Sequence, residues 1–239
     1  MHPHRSVRLA LLLASLVLPA CGGGATDDAA AAPSAVVGGT PAIDERPEVG
    51  RVGSCTGTLV ASNVVLSAAH CFDRESGARS VGDFVIDRTS GSRAFATTEV
   101  KVFGDGSGED DVALVRLASP VPGDVARPLA IATSPAQGEV TMWGYGCTAR
   151  PARIPSGEGN VITSGEPEDK RKVIFVWGST TSHSCPGDSG GPVVDARGRI
   201  VAVVSGYVAL PYEEARGFDV FGDPVRHAAA IGAQIASWR

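Results

Sequence analysis

The 239-residue chain has no Lys/Arg-rich stripe, and its 21 basic residues are outnumbered by 26 acidic ones, for a formal charge of -5. Such a balance repels phosphate backbones instead of releasing their counterions, which argues against nucleic-acid binding. There is no nucleotide-cradling loop and no short C-x-x-C or H-x-x-x-H spacing, so no cofactor is expected and a metal site built on His183 and a cysteine is a weak alternative. The apolar stretch Leu9 to Leu18 is too short to span a bilayer stably. Long amphipathic helices do not alternate with strands, which removes the doubly wound α/β fold of esterases.

What is present favours an all-β body. Apolar residues make up 43% of the chain, enough for one domain of roughly 200 residues, and 30 glycines and 16 prolines punctuate short strand-like runs. These runs are predicted at 58–60, 64–66, 97–103, 112–117, 139–143, 173–177, 192–194, 200–205 and 217–221. One helix is expected at the C-terminus, with Asp223 as its cap, Pro224 in its first turn, and Val225, Ala228, Ile231, Ile235 and Trp238 at helical spacing.

The chemistry concentrates in Gly187-Asp188-Ser189-Gly190-Gly191-Pro192. A serine hydroxyl attacks a carbonyl only when a base takes its proton and backbone N-H groups face the developing oxyanion. The partners lie upstream. Ser67-Ala68-Ala69-His70-Cys71 supplies an imidazole, a group that titrates near neutrality. Asp110-Asp111 supplies a carboxylate at the mouth of the apolar run Val112 to Leu117. The order His, Asp, Ser is that of the chymotrypsin type, not of subtilisins or α/β-hydrolases.

The chain thus resembles the trypsin/chymotrypsin family of serine proteases over about residues 36 to 239. Four blocks carry the resemblance: Val36-Val37-Gly38-Gly39, Cys55-Thr56-Gly57-Thr58-Leu59 running on to Ala68-Ala69-His70-Cys71, Asp111-Val112-Ala113-Leu114, and Cys185-Pro186 with the serine hexapeptide. It implies two six-stranded antiparallel β-barrels with a C-terminal α-helix. His70 is then the general base, Asp111 its orienting carboxylate with Asp110 a solvated neighbour, and Ser189 the nucleophile. The N-H groups of Gly187 and Ser189 form the oxyanion hole. The resemblance also implies a zymogen cut before Val36, whose new amine pairs with Asp188. His183 lies at the base of the primary pocket and Ser205 and Tyr207 along its wall. Because His183 is not a carboxylate, a demand for Lys or Arg is not expected, and acidic and apolar preferences stay open. Cys55 pairs with Cys71 as in the family's histidine-loop bridge. The family's usual partner for Cys185 is missing, so Cys147 is expected to take its place.

Residues 1–20 read as a signal peptide: a basic lead, a short apolar stretch and small residues before Cys21. Cys21 resembles the acylated cysteine of a bacterial lipoprotein, with ordinary secretory cleavage and a spare thiol as the alternative. Residues 21–35 read as a flexible tether or pro-segment, and 36–239 as the protease domain. The expected partners are a protein or peptide substrate, an activating protease and a membrane reached only through a lipid on Cys21, with the protein a monomer outside the cytoplasm. The competing functions are a catalytically silent homologue that acts as an anchored binding module, and an esterase of the same fold.

Overall fold

The computed structural model describes residues 39–72, 81–134, 140–146, 152–157, 183–209 and 217–239. The predicted run 173–177 lies outside them, as do Cys21, Val36 and Cys147. The strands are β1 (Thr40–Pro41), β2 (Val49–Val52), β3 (Cys55–Ala61), β4 (Val64–Ser67), β5 (Phe84–Ile86), β6 (Arg93–Phe95), β7 (Thr97–Val102) and β8 (Ala113–Leu117), then β9 (Val140–Gly144), β10 (Ala152–Gly157), β11 (Pro192–Asp195), β12 (Ile200–Ala209) and β13 (Gly217–Gly222). They form two antiparallel, barrel-like sheets, ordered β6-β5-β2-β3-β4-β8-β7 and β1-β10-β9-β11-β12-β13. Among the described residues the first sheet has seven strands where six were expected, because β6 folds back on β5 with Phe84 opposite Phe95.

Period-two patterning explains how the sheets pack. Along β4 every side chain is buried, since Val65 faces the interior of the first sheet while Val64 and Leu66 join a second cluster with Trp143, Val194, Ile200 and Val203. β8 repeats the scheme: Ala113, Val115 and Leu117 point inward, and Leu114 joins the second cluster. Strands buried on both faces read as continuous apolar runs, which is why these two were legible. Each such valine or leucine contributes about 1.5–3 kcal/mol on burial.

The helix α1 (Ala228–Ser237) begins later than predicted. Asp223 does not cap it; its Oδ1 accepts the N-H groups of Val225 at 2.9 Å and Arg226 at 3.0 Å and so closes the turn before the helix. The helical ladder starts where Ile231 N-H donates to the His227 carbonyl. Ile231 and Trp238 bury the helix face, and Asn63 Nδ2 donates to the Trp238 carbonyl at 3.1 Å, tying the C-terminus to the turn between β3 and β4.

Leu114→Ala should destabilise the fold by about 2–5 kcal/mol in denaturant unfolding, because a fully buried side chain leaves a cavity between strands that cannot close. Lys101→Ala, on the exposed face of β7, should change stability by under about 0.5 kcal/mol.

Candidate active site

Strand register brings the first two groups together. β4 and β8 pair with Ser67 opposite Ala113, so the residues just after β4 and just before β8 emerge at the same sheet edge. His70 sits there on a short 3-10 turn, Ala69–Cys71, pinned by a Cys55–Cys71 disulfide. Asp111 is 2% exposed. Its Oδ1 accepts the His70 backbone N-H at 2.8 Å and its Oδ2 accepts the ring Nδ1-H at 2.6 Å. A carboxylate offers no proton, so the contact selects the tautomer with hydrogen on Nδ1 and leaves Nε2 as a lone pair. Cys71 Sγ lies 3.9 Å from that nitrogen; being joined to Cys55 it is no thiolate, and this Cys-His-Cys cluster lacks the donors zinc requires.

The third group arrives from the second sheet. Pro192 of β11 pairs with Val203 of β12, which puts the turn ahead of β11 beside Ser205. Ser205 then links the parts: its Oγ donates to Asp111 Oδ2 at 2.5 Å, and its carbonyl accepts from Ser189 Oγ at 3.3 Å. Sequence reasoning placed Ser205 on the pocket wall and missed its hold on Asp111. Asp110 also differs from expectation. It is not a solvated neighbour but pairs with His227 Nε2 at 2.8 Å, because the turn before α1 folds back over it.

The serine turn is fixed at nearly every polar atom. Ser189 carbonyl accepts Thr56 N-H at 2.8 Å, Gly190 N-H donates to the Val204 carbonyl, and Gly191 N-H to the Asp188 carbonyl. Gly187 and Gly190 hold φ of 103° and 85°, a region that side chains disfavour, and a Cβ on Gly190 would lie 2.1 Å from the Thr56 carbonyl. The peptide joining Gly187 to Asp188 is held at both ends: Thr56 Oγ1 donates to the Gly187 carbonyl at 2.7 Å, and Asp188 N-H donates to the Cys185 carbonyl at 2.9 Å. Thr56 Oγ1 also accepts Tyr145 N-H at 3.0 Å. Among the described residues, the N-H groups of Gly187 and Ser189 donate to no protein acceptor. A cavity of about 450 Å³ opens beside Gly187, lined also by Arg51, Ser54 and Tyr145.

Asp188 is fully buried and accepts Gly146 N-H at 2.7 Å and Cys185 N-H at 2.8 Å. No cation among the described residues reaches it. Burial, aided by the nearby Asp219 charge and opposed by those two hydrogen bonds, pushes its carboxyl up to about 7. Half-buried His183 donates Nδ1-H to the Ser184 carbonyl at 2.7 Å. Tyr207 lies on β12 opposite Asp219 of β13. Cys185 is disulfide-bonded, and its expected partner Cys147 lies outside the described residues.

Thr56 is the residue whose role the sequence hid, since its side chain serves two groups 89 and 131 positions away. Thr56→Val keeps the shape and removes the hydroxyl, leaving the Gly187 carbonyl and Tyr145 N-H buried without that partner. A stability loss of about 1–3 kcal/mol is expected by denaturant melt, with Thr56→Ser close to the parent.

Comparison with known sequences agrees with this architecture. The Trypsin family model matches residues 37–221. Trypsin-4 of Rattus norvegicus is 30% identical over 170 residues, spanning 63% of this chain and 68% of that protein. Trypsin-3 of Salmo salar is 31% identical over 171 residues, spanning 63% and 71%. The human (Homo sapiens) chymotrypsin-like elastase family member 1 is 28% identical over 192 residues, spanning 66% and 74%. A family match of that extent, on two antiparallel β-sheets closed by a C-terminal helix, means that the chain belongs to the trypsin family and is a serine endopeptidase.

Proposed function

We propose that the enzyme is exported and hydrolyses peptide bonds of protein or peptide substrates through His70, Asp111 and Ser189. The observation that carries this is Asp111: its buried carboxylate orients the His70 ring and reaches, through Ser205, the turn bearing Ser189. In the reaction His70 Nε2 takes the Ser189 hydroxyl proton as Oγ bonds to the scissile carbonyl carbon. The carbonyl oxygen becomes an oxyanion facing the Gly187 and Ser189 N-H groups. Collapse breaks the C-N bond, with the proton passing from His70 to the leaving amine, and water repeats the sequence to release the acyl group from Ser189. Asp111 stabilises the imidazolium formed at each stage. Thr56 holds the Gly187–Asp188 peptide, which lies between the two donor peptides and limits their reorganisation as charge develops.

Asp188 supports the zymogen reading. A buried carboxylate held only by backbone amides is disfavoured when ionised, and an ammonium would relieve it. Cleavage before Val36 supplies such an amine. Lipid on Cys21 then anchors the uncut chain, and cleavage frees it. The Cys147–Cys185 bridge would tie the loop after Tyr145 to the segment ahead of the serine.

Two outcomes test this reading. A fluorophosphonate probe should label the cut protein at Ser189, N-terminal sequencing of the active form should begin at Val36, and Ser189→Ala should lower turnover on the order of a millionfold; a cut, folded protein that takes no label would refute it. The second concerns pH. The unfolded Asp188 carboxyl titrates near 3.8 and the folded one near 7. Between those values the folded chain therefore keeps a proton that the unfolded chain has released. Stability of the uncut chain should fall as pH rises from about 4 to 7, by roughly 4 kcal/mol at most, and then level off. Asp188→Asn, or cleavage before Val36, should flatten that slope in pH-dependent melts.

A further inference from the structure

The loop that delivers Asp111 has little local structure of its own. Gly104, Gly106 and Gly108 all take positive φ in it, and glycine has more conformational freedom to lose on ordering than any other residue. The loop ends in the 3-10 turn Gly108–Asp110, where Asp111 N-H donates to the Gly108 carbonyl at 3.1 Å and Val112 N-H to the Asp110 carbonyl at 2.8 Å. That second bond spans Asp111, so a shift of Asp110 is carried to it. A carboxylate that orients a ring must be held to within about 0.5 Å.

The brace comes from the turn ahead of α1, more than a hundred residues on. Asp223 N-H donates to the Glu109 carbonyl at 2.8 Å. Two side chains then reach back. Arg226 Nη1 lies 2.6 Å from Glu109 Oε2 and 3.8 Å from Asp110 Oδ1, but its side chain is 51% exposed, and an ion pair so open to water holds little. The His227 contact is of another kind. Its Nε2 donates to Asp110 Oδ1 at 2.8 Å, with the two side chains 15% and 22% exposed. The ring packs against Phe103, centroids 5.7 Å apart, and Phe103 is buried and gives its own N-H to the Val112 carbonyl. From the other side, the His227 carbonyl accepts the N-H of Ile231, which is buried on the helix face.

The helix itself gains no cap from this residue. His227 stands at the N-cap of α1 and makes no side-chain capping bond, although Ser, Thr, Asp or Asn there would stabilise the helix. Its side chain is turned to Asp110 instead. We propose that His227 is a positioning residue of the reaction: by holding Asp110 it fixes the turn from which Asp111 orients the His70 ring. This rests on His70, Asp111 and Ser189 acting as the triad. Asp111 keeps its own donors, the His70 N-H groups and the Ser205 hydroxyl, whether or not His227 is present. What is lost without His227 is the precision of the carboxylate, and with it the aim of Nε2, which enters the chemical step and not the binding of substrate.

The test compares the activated parent enzyme with His227→Leu, which removes the donor, and His227→Gln, whose amide N-H reaches the same oxygen. On a fluorogenic peptide, His227→Leu should lower kcat by about tenfold with KM within about a factor of two, and His227→Gln should recover most of that loss. Proton NMR gives a readout that mere destabilisation would not move: the downfield resonance of the His70 Nδ1-H bonded to Asp111 should broaden or shift upfield in His227→Leu and persist in His227→Gln. Parental kcat in His227→Leu, a loss carried in KM, or equal losses in the two variants would overturn the proposal. Should His227→Leu fail to fold, Asp110→Ala opens the same contact from its other side and should show the same kcat loss; parental kcat there overturns the proposal equally. A parent enzyme that takes no fluorophosphonate label would instead refute the triad, and the Nδ1-H resonance would still report whether His227 positions Asp111.

Discussion

The site depends on the burial of the Asp111 carboxylate. A charge taken out of water must be met by donors, and Asp111 meets three: the His70 backbone, the His70 ring and the Ser205 hydroxyl. Two of these belong to the turn after β4 and one to β12, so a single carboxylate stitches the two sheets along their seam. The ring tautomer, the orientation of Nε2 and the distance between the sheets follow from it. The surrounding apolar contacts, Leu66 and Leu114 against Ile200 and Val203, bring the sheets into register but could not orient an imidazole.

Thr56 does for the serine turn what Asp111 does for the histidine. Its backbone N-H, carbonyl and hydroxyl are all engaged, with Ser189, Ser67 and the pair Gly187 and Tyr145 respectively. Saturating the polar atoms of the turn leaves the N-H groups of Gly187 and Ser189 as its donors without a protein acceptor among the described residues. Preorganisation of this kind is what electrostatic catalysis requires, since the donors need not move as charge appears. Against this saturated background, Asp188 and Asp219 stand out as buried carboxylates held by backbone N-H groups and, for Asp219, the Ser184 hydroxyl. Each stays above its ordinary range for the same cause, loss of water, and the Asp219 charge raises Asp188 further.

Much of the scaffold was legible from pattern. The runs at 64–66 and 112–117 emerge as β4 and β8 because burial on both faces demands unbroken apolar residues. β2, β6 and β10 went unread because Gly50 and Arg51 interrupt the first, the second is mostly exposed, and the third carries Pro155, so none shows the apolar run or alternation that marks a strand. The cap at Asp223 misled for a local reason: an aspartate that takes the N-H groups two and three residues ahead closes a turn as readily as it starts a helix.

The sequence by itself determined the residue types and their order: a histidine after one apolar strand, an aspartate before another, and a serine among glycines. It could do so because each signal is local, a matter of neighbours along the chain. Only the tertiary structure decided that Ser205 binds Asp111, that Asp110 belongs to His227, that Thr56 braces the Gly187 peptide, and that Asp219 accepts the Ser184 N-H. Those pairings join residues from 35 to 131 positions apart, and a hydrogen bond between distant residues leaves no periodicity in the sequence; it exists only once packing has brought donor and acceptor within reach and removed the water that would otherwise take either one's place.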